Sequence, residues 1–430
     1  MMSENDQAWE LFFKETNILT KLDSDNLAYI TARELKHYGK REPRLMAKID
    51  TLALQPKIFS ENQLSILPVR NASYAIFKDK EQSSFYKFSK EDIDLPIIKH
   101  TPAVDVSTFD SFSTNLGLNE SQALDFSLIS SITHSFISER DIWLTIRGRQ
   151  FSSKFDLLLP SINQTLTIEK VQIEIDAGYE SKNAIYIFEA KTSRRADFNV
   201  RQLLYPYLDW KNRSKKAIVP IFFIYTNGLY YLYQFSMGNS LDSTKLVKKS
   251  CYTIDEYHYS IGDLWSIVNE SSSQLKQVIG IPFPQADDMD KVIDTVSLVY
   301  NGFNSKKSIA SKLEFDERQG DYYGNAACYL GFLEHSQNLF TITPLGEKLV
   351  NEKFRSKRAI IVFTALAQIK VFYNILILFL GRNMDLGTID NNELAAFIRE
   401  EHQLNDTTIF RRISTVKQWL IWLKNNLYLT

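Results

Sequence analysis

Two carboxylates and a lysine are concentrated in IEIDAGYESKNAIYIFEAK, residues 173–191. The pattern puts Asp176 at the end of a first strand, next to Gly178, and Glu189 and Lys191 two apart on a second. Strand side chains alternate with period two, so Glu189 and Lys191 share a face. Ile185 to Phe188 are all apolar, which sets two charged groups at the end of an otherwise buried strand. Burying a charge without a partner is expensive. A divalent cation held between Asp176 and Glu189 removes that cost. With the backbone carbonyl of Ala190, these carboxylates are hard oxygen ligands suited to Mg²⁺, for which Mn²⁺ can substitute. Such an ion polarises a phosphoryl oxygen and lowers the pKa of a bound water. Lys191 is placed to position that water or to meet developing charge. The chemistry these groups suit is phosphodiester hydrolysis. Glu174, on the same strand face as Asp176, is a competing ligand, and Asp156 a weaker one. The rival reading of the trio is a salt-bridge cluster on an edge strand.

The elements around these residues read as an α/β core with a mixed sheet flanked by helices. Apolar spacing predicts a helix over 122–139, then strands at 142–148, 155–160, 166–176, 184–191, 217–225 and 229–237, with a helix at 197–210 between the fourth and fifth. From Lys191 to Lys216 eight cationic residues, Arg194 and Arg195 among them, stand against Asp197 and Asp209, a net +6 beside the carboxylates. A nucleic-acid backbone needs such a surface. Arg147 and Arg149 end the first strand and are further candidates for backbone contact.

D-(x)12-E-x-K on a hairpin, followed by a helix with Gln202 and Tyr205, resembles the PD-(D/E)XK nuclease superfamily over roughly residues 120–237. The resemblance implies that Asp176 and Glu189 hold the metal, that Lys191 is the catalytic lysine, and that Gln202 supports the site or DNA. It also implies an additional acid from the preceding helix, here Glu139. Ile175 stands where the superfamily motif has a proline. A second E-x-K, Glu34–Lys36, lies in a helical pattern without an upstream acidic hairpin and reads as a solvated helix face.

Three regions are expected: an N-terminal α/β DNA-binding domain over 1–110, the nuclease domain over 120–280, and a mostly helical, winged-helix-like region over 288–430. In the first, Thr31 caps a helix, strands follow at 65–69 and 74–77, and KREPRLMAK concentrates Lys40, Arg41, Arg44 and Lys48 for phosphate contact. In the last, Arg318, Gln319, Tyr322 and Asn325 form the exposed row of a candidate recognition helix starting at a capping Asp316. A long helix is expected over 358–380. The final helix shows an apolar stripe including Phe410, opposite Arg411, Arg412, Thr415 and Gln418. Solvated faces or protein contacts account for these rows equally simply.

Composition bounds the rest. In 430 residues, 50 Lys and Arg balance 51 Asp and Glu, so nucleic-acid affinity must come from local patches. Two cysteines make no disulfide framework and fit a reducing cytoplasm. No membrane span is expected, because the most apolar stretch, 360–380, contains Gln368, Lys370 and Asn374. P-loop, dinucleotide-binding and zincin motifs are absent. The resemblance with its flanking modules points to a Type II restriction endonuclease cutting double-stranded DNA, with a homodimer and a cognate DNA methyltransferase encoded nearby as corollaries. Two alternatives stay open: a repair or recombination nuclease reading DNA structure or modified bases, and a non-cutting DNA-binding regulator.

Overall fold

The computed structural model of the chain describes residues 3–109, 119–254, 258–313, 317–352 and 354–427. Its centre is a seven-stranded mixed sheet. In chain order the strands are β1 (Ile97–Lys99), β2 (Trp143–Phe151), β3 (Gln172–Glu180), β4 (Ala184–Lys191), β5 (Ala217–Thr226), β6 (Leu229–Ser236) and β7 (Lys245–Thr253). Their spatial order is β1-β7-β6-β5-β4-β3-β2. The pairs β4–β5 and β7–β1 are parallel and the others antiparallel. Helices α1 (Glu120–Ile129) and α2 (Arg201–Arg213) pack on its two faces.

β4 is buried along its whole length, as a continuous apolar run in a central strand should be. Its parallel partner β5 must be reached by a crossover, and α2 supplies it. One sheet face packs Ala177, Tyr179, Phe188 and Phe223 against Leu124 of α1 and Phe136. The other packs Phe222 and Ile224 against Leu203 and Leu204 of α2.

Residues 3–78 build helices Glu4–Glu15, Ile18–Asp25 and Ala32–Gly39 around an antiparallel sheet of Leu27–Thr31, Ser73–Lys78 and Leu64–Arg70. Thr31 caps its helix in a reciprocal pair with Glu34. This sheet shares an apolar cluster with the core: Leu67, Val69 and Phe77 pack with Phe198 and Phe222. The expected N-terminal unit ended at 110, but the structure ties residues beyond 80 to the centre. Phe85–Lys87 pairs with Asp197–Asn199, and Ile97–Lys99 is β1 of the central sheet.

Several expected boundaries differ. The helix over 122–139 is broken at Ser131, which takes a left-handed backbone (φ 66). The strand over 166–176 is two strands, because Lys170 is also left-handed (φ 54) and a hairpin Phe155–Leu159/Gln164–Ile168 closes before β3 begins. Residues 197–199 are a strand, so α2 starts only at Arg201. The helix over 358–380 divides into Arg355–Ala367 and Lys370–Gly381. There Lys276 intercepts the backbone, donating to the Gln368 carbonyl at 2.8 Å and accepting from Lys370 N–H at 3.1 Å.

The C-terminal region runs helix (Met289–Tyr300), helix (Lys306–Leu313), helix (Glu317–Tyr329), hairpin (Leu333–Ser336 and Leu339–Ile342), helix (Pro344–Asn351). That is the order expected of a winged helix. The capping role expected of Asp316 lies outside the described residues. Among the described residues, no helix is long and apolar enough to cross a membrane.

Candidate active site

The hairpin of β3 and β4 pairs from Ile185 opposite Glu180 to Phe188 opposite Ala177. Asp176 therefore does not sit where its strand ends, as the pattern suggested; β3 continues four residues past it to Glu180. A bulge explains its orientation. On the other side of β3, Ile146 faces Gly178 and Gly148 faces Ile175, so Asp176 and Ala177 together stand opposite the single Arg147. Inward parity changes there. Ile175 packs with Ile187 and Trp210 on the α2 side, whereas Ala177 and Tyr179 pack on the α1 side. Bulges re-aim side chains in this way, and often beside active sites.

Re-aimed, the Asp176 carboxylate accepts the Ala190 N–H at 2.7 Å. Lys191 Nζ donates to Glu189 Oε1 at 2.5 Å, and Gln202 Nε2, from the first turn of α2, donates to the same oxygen at 2.7 Å. Glu189 is 9% and Lys191 8% exposed, so the edge-strand salt-bridge reading does not describe them. Burial, then the charge of Asp176, pushes the Glu189 carboxyl up to about 8 against the pull of Lys191. Burial also raises Asp176, opposed by Lys191 and the Ala190 N–H. Two acids that both resist ionisation side by side are what a cation relieves.

The residues present fit a hard cation. The second oxygens of Asp176 and Glu189 make no hydrogen bond among the described residues. The buried Gln202 Oε1 has no partner either. N–H and C=O of one strand residue point to the same edge, so the Ala190 carbonyl faces the edge where its N–H meets Asp176. Among the described residues no three His, Cys, Asp or Glu side chains form a ready cage. Mg²⁺, which keeps several waters and takes one or two carboxylates, does not need one.

The trio opens into a cleft of about 550 Å³ between the central sheet and the N-terminal block. Glu120 lines it and its charge acts on Glu189. Sequence reasoning missed this residue. Its signal was Asn119, whose side chain caps α1 through Ser121 and Gln122 and so starts the helix at Glu120. The acid expected from this region, Glu139, is not in the cleft; it accepts a hydrogen bond from Tyr186 Oη at 2.7 Å in a separate hollow with His134 and Arg140. Glu174 lines the cleft but is paired with Arg149 at 3.2 Å. Asp156 is bound to Thr167 on the inserted hairpin and is not among the cleft residues.

The cationic expectations need the most correction. Arg194 donates to Tyr231 Oη and lies 3.7 Å from Asp290, and the buried Arg195 donates to the Leu313 carbonyl at 2.6 Å. They join the core to the C-terminal region. Arg201 and Lys216 pair with Asp50 and Glu180, and Arg213 with Asp209, an acid already counted in the net +6. Acids outside the segment, Asp50, Glu180, Glu189 and Asp290, thus offset part of that charge. Arg147 is a positioning residue: its guanidinium holds Asp125 of α1 through both terminal nitrogens and the Asp176 carbonyl through Nε at 3.0 Å. Of the N-terminal cations, Arg44 and Lys48 line the cleft, Arg41 is paired with Glu4 at 2.5 Å, and Lys40 is an exposed helix C-cap.

On the C-terminal helices, Arg318 and Gln319 are exposed, while Tyr322 and Asn325 are half-buried. Arg318 Nε donates to Tyr322 Oη at 2.5 Å. Arg411 is exposed and Arg412 half-buried beside Tyr322. Phe410 is 45% exposed and Thr415 buried, which exchanges their expected sides.

Three family models match, each described as a domain of unknown function: DUF6996 over residues 6–76, DUF6997 over 80–253 and DUF7226 over 291–427. No curated protein and no solved structure matches the chain. The second match contains the whole acid–acid–lysine set, and the first contains the facing wall of the cleft.

Proposed function

We propose that this chain is a metal-dependent DNA endonuclease of the PD-(D/E)XK type. The observation that carries the reading is the convergence of Asp176, Glu189, Lys191 and Gln202 on one cleft floor, by way of a bulge, a buried strand end and the first turn of a helix. Asp176, Glu189 and the Ala190 carbonyl would hold Mg²⁺ or Mn²⁺. Bound there, the ion would polarise a phosphoryl oxygen and make a neighbouring water a better nucleophile. Lys191 supplies a fixed positive charge for the phosphate oxygen that gains charge as water attacks phosphorus in line. Gln202 fixes Glu189 Oε1, so that its other oxygen faces the cleft. The lining carries six acidic and six basic side chains, so a phosphate meets a balanced field and not a repelling one.

The test is cleavage, with Mg²⁺, of plasmid DNA and of DNA carrying a mismatched bubble. Asp176→Ala and Lys191→Ala should each abolish cutting while DNA binding persists, and a wild-type rate in either variant would defeat the assignment. Site-specific cutting of duplex DNA by a restriction endonuclease is one form of this activity; it predicts discrete fragments, a homodimer cutting both strands and a neighbouring DNA methyltransferase gene. A repair or recombination nuclease that selects a DNA structure is another form of it.

A further inference from the structure

Resting on the nuclease reading, the shape of the cleft bears on which form of DNA reaches the carboxylates. A volume of about 550 Å³ falls in the range of sites that enclose small ligands, roughly 300–1,000 Å³. That is room for a nucleotide or two. A base must leave its duplex stack to enter a space of that size.

The wall facing the carboxylates is fixed. Asn199 donates through Nδ2 to the Ile49 carbonyl at 2.9 Å and through its backbone N–H to the Asp50 carbonyl at 2.8 Å. Leu52 N–H donates to the Asp197 carboxylate at 2.6 Å, and Tyr205 Oη to the Pro68 carbonyl at 2.9 Å. Asn199 and Asp197 are buried, and the shared apolar cluster continues beneath them. Swinging the wall aside would strand these polar groups and split that cluster.

The same wall carries what an unpaired strand needs. Tyr74 is half-buried and lines the cleft, whereas the other aromatic in the lining, Tyr205, is buried with its hydroxyl committed. Arg44 is exposed at the rim, and Lys48 is 61% exposed although 3.4 Å from Asp50. An unpaired strand offers π-faces for stacking and phosphates for cations, and aromatic side chains exploit both. A base inside a duplex hides its faces.

We propose that the strand cut at Asp176, Glu189 and Lys191 enters the cleft unpaired, one base stacked on Tyr74 and its phosphates met by Arg44 and Lys48. The test is fluorescence anisotropy with the full chain carrying Asp176→Asn, using a fluorescein-labelled single-stranded DNA oligonucleotide and the duplex of the same sequence. The single strand should bind at least about tenfold more tightly. Adding Tyr74→Ala should weaken it by roughly 5- to 150-fold, the value of one stacked base, and Tyr74→Phe should retain it. Arg44→Ala, at an exposed position, should weaken binding and flatten its salt dependence. Equal or tighter duplex binding, or equal affinity of Tyr74→Ala and Tyr74→Phe, overturns the proposal. The two readings fail separately. Wild-type chain that cuts intact duplex as fast as a mismatched bubble sinks the unpaired strand and leaves the nuclease. Tight single-strand binding without cleavage of any DNA in Mg²⁺ sinks the nuclease.

Discussion

Glu189 accepts two hydrogen bonds on one oxygen and lines the cleft, while Glu120 adds negative charge from the first turn of α1. A helix N-terminus favours a carboxylate at that position. The effect of Glu120 should appear in metal dependence, because neighbouring carboxylates orient and polarise a metal's ligands and waters. Glu120→Gln should raise the Mg²⁺ concentration for half-maximal cleavage by about 10- to 100-fold. Glu139→Gln, outside the cleft, should leave the Mg²⁺ titration unchanged. Titrating both variants separates the two acids of this region; identical curves for them would refute the role given to Glu120.

At the scale of elements, the bulge between β2 and β3 decides where Asp176 points. Gly148 closes that bulge with a backbone (φ 97) that side chains rarely adopt, although nothing lies within 4 Å of an added Cβ. Gly148→Val therefore meets strain and no clash. It should cost about 1–3 kcal/mol of stability and lower cleavage more than a loss of folded protein explains, as the bulge relaxes and Asp176 turns. Thermal unfolding and single-turnover cleavage of the variant read the two effects. β4 was legible to the residue because an apolar run buried on both faces ends where charge begins. The bulge was not, because a one-residue shift leaves a local alternation that still looks regular. E-x-K was legible for the same local reason. The fate of Arg194, Arg195 and Arg201 was not, since their partners Tyr231, Leu313 and Asp50 lie 37, 118 and 151 positions away.

Over the whole molecule, the C-terminal region is locked to the core by buried charge at the β5–β6 turn. Arg355 holds Asp290 through both terminal nitrogens, at 2.7 and 2.9 Å, and also donates to the Asn227 carbonyl. Asn227 and Trp422 complete the shell of Asp290, and Arg194 approaches from the strand end that carries Glu189 and Lys191. Although burial opposes it, Arg355 foremost and then Arg194 hold the Asp290 carboxyl down to about 2. Its stabilisation is present above the unfolded value near pH 4 and is lost as pH falls toward 2. Asp294, one helical turn on, behaves in the opposite way. Burial, with Asp290 and Asp288 nearby, lifts it to about 8 despite a hydrogen bond from Thr226 at 2.8 Å. A folded-state value raised above the unfolded one contributes stability that is complete below about pH 4 and lost as pH rises through 8. The junction is therefore squeezed from both sides. Asp294→Asn keeps an acceptor for Thr226 and cannot ionise. The variant should unfold at a higher temperature than wild type at pH 8.5, and the advantage should vanish near pH 4. Melting curves across that range check the sign: a variant less stable at pH 8.5 would mean that Asp294 is charged in the folded chain and paired with Arg358, the cation that already acts on it.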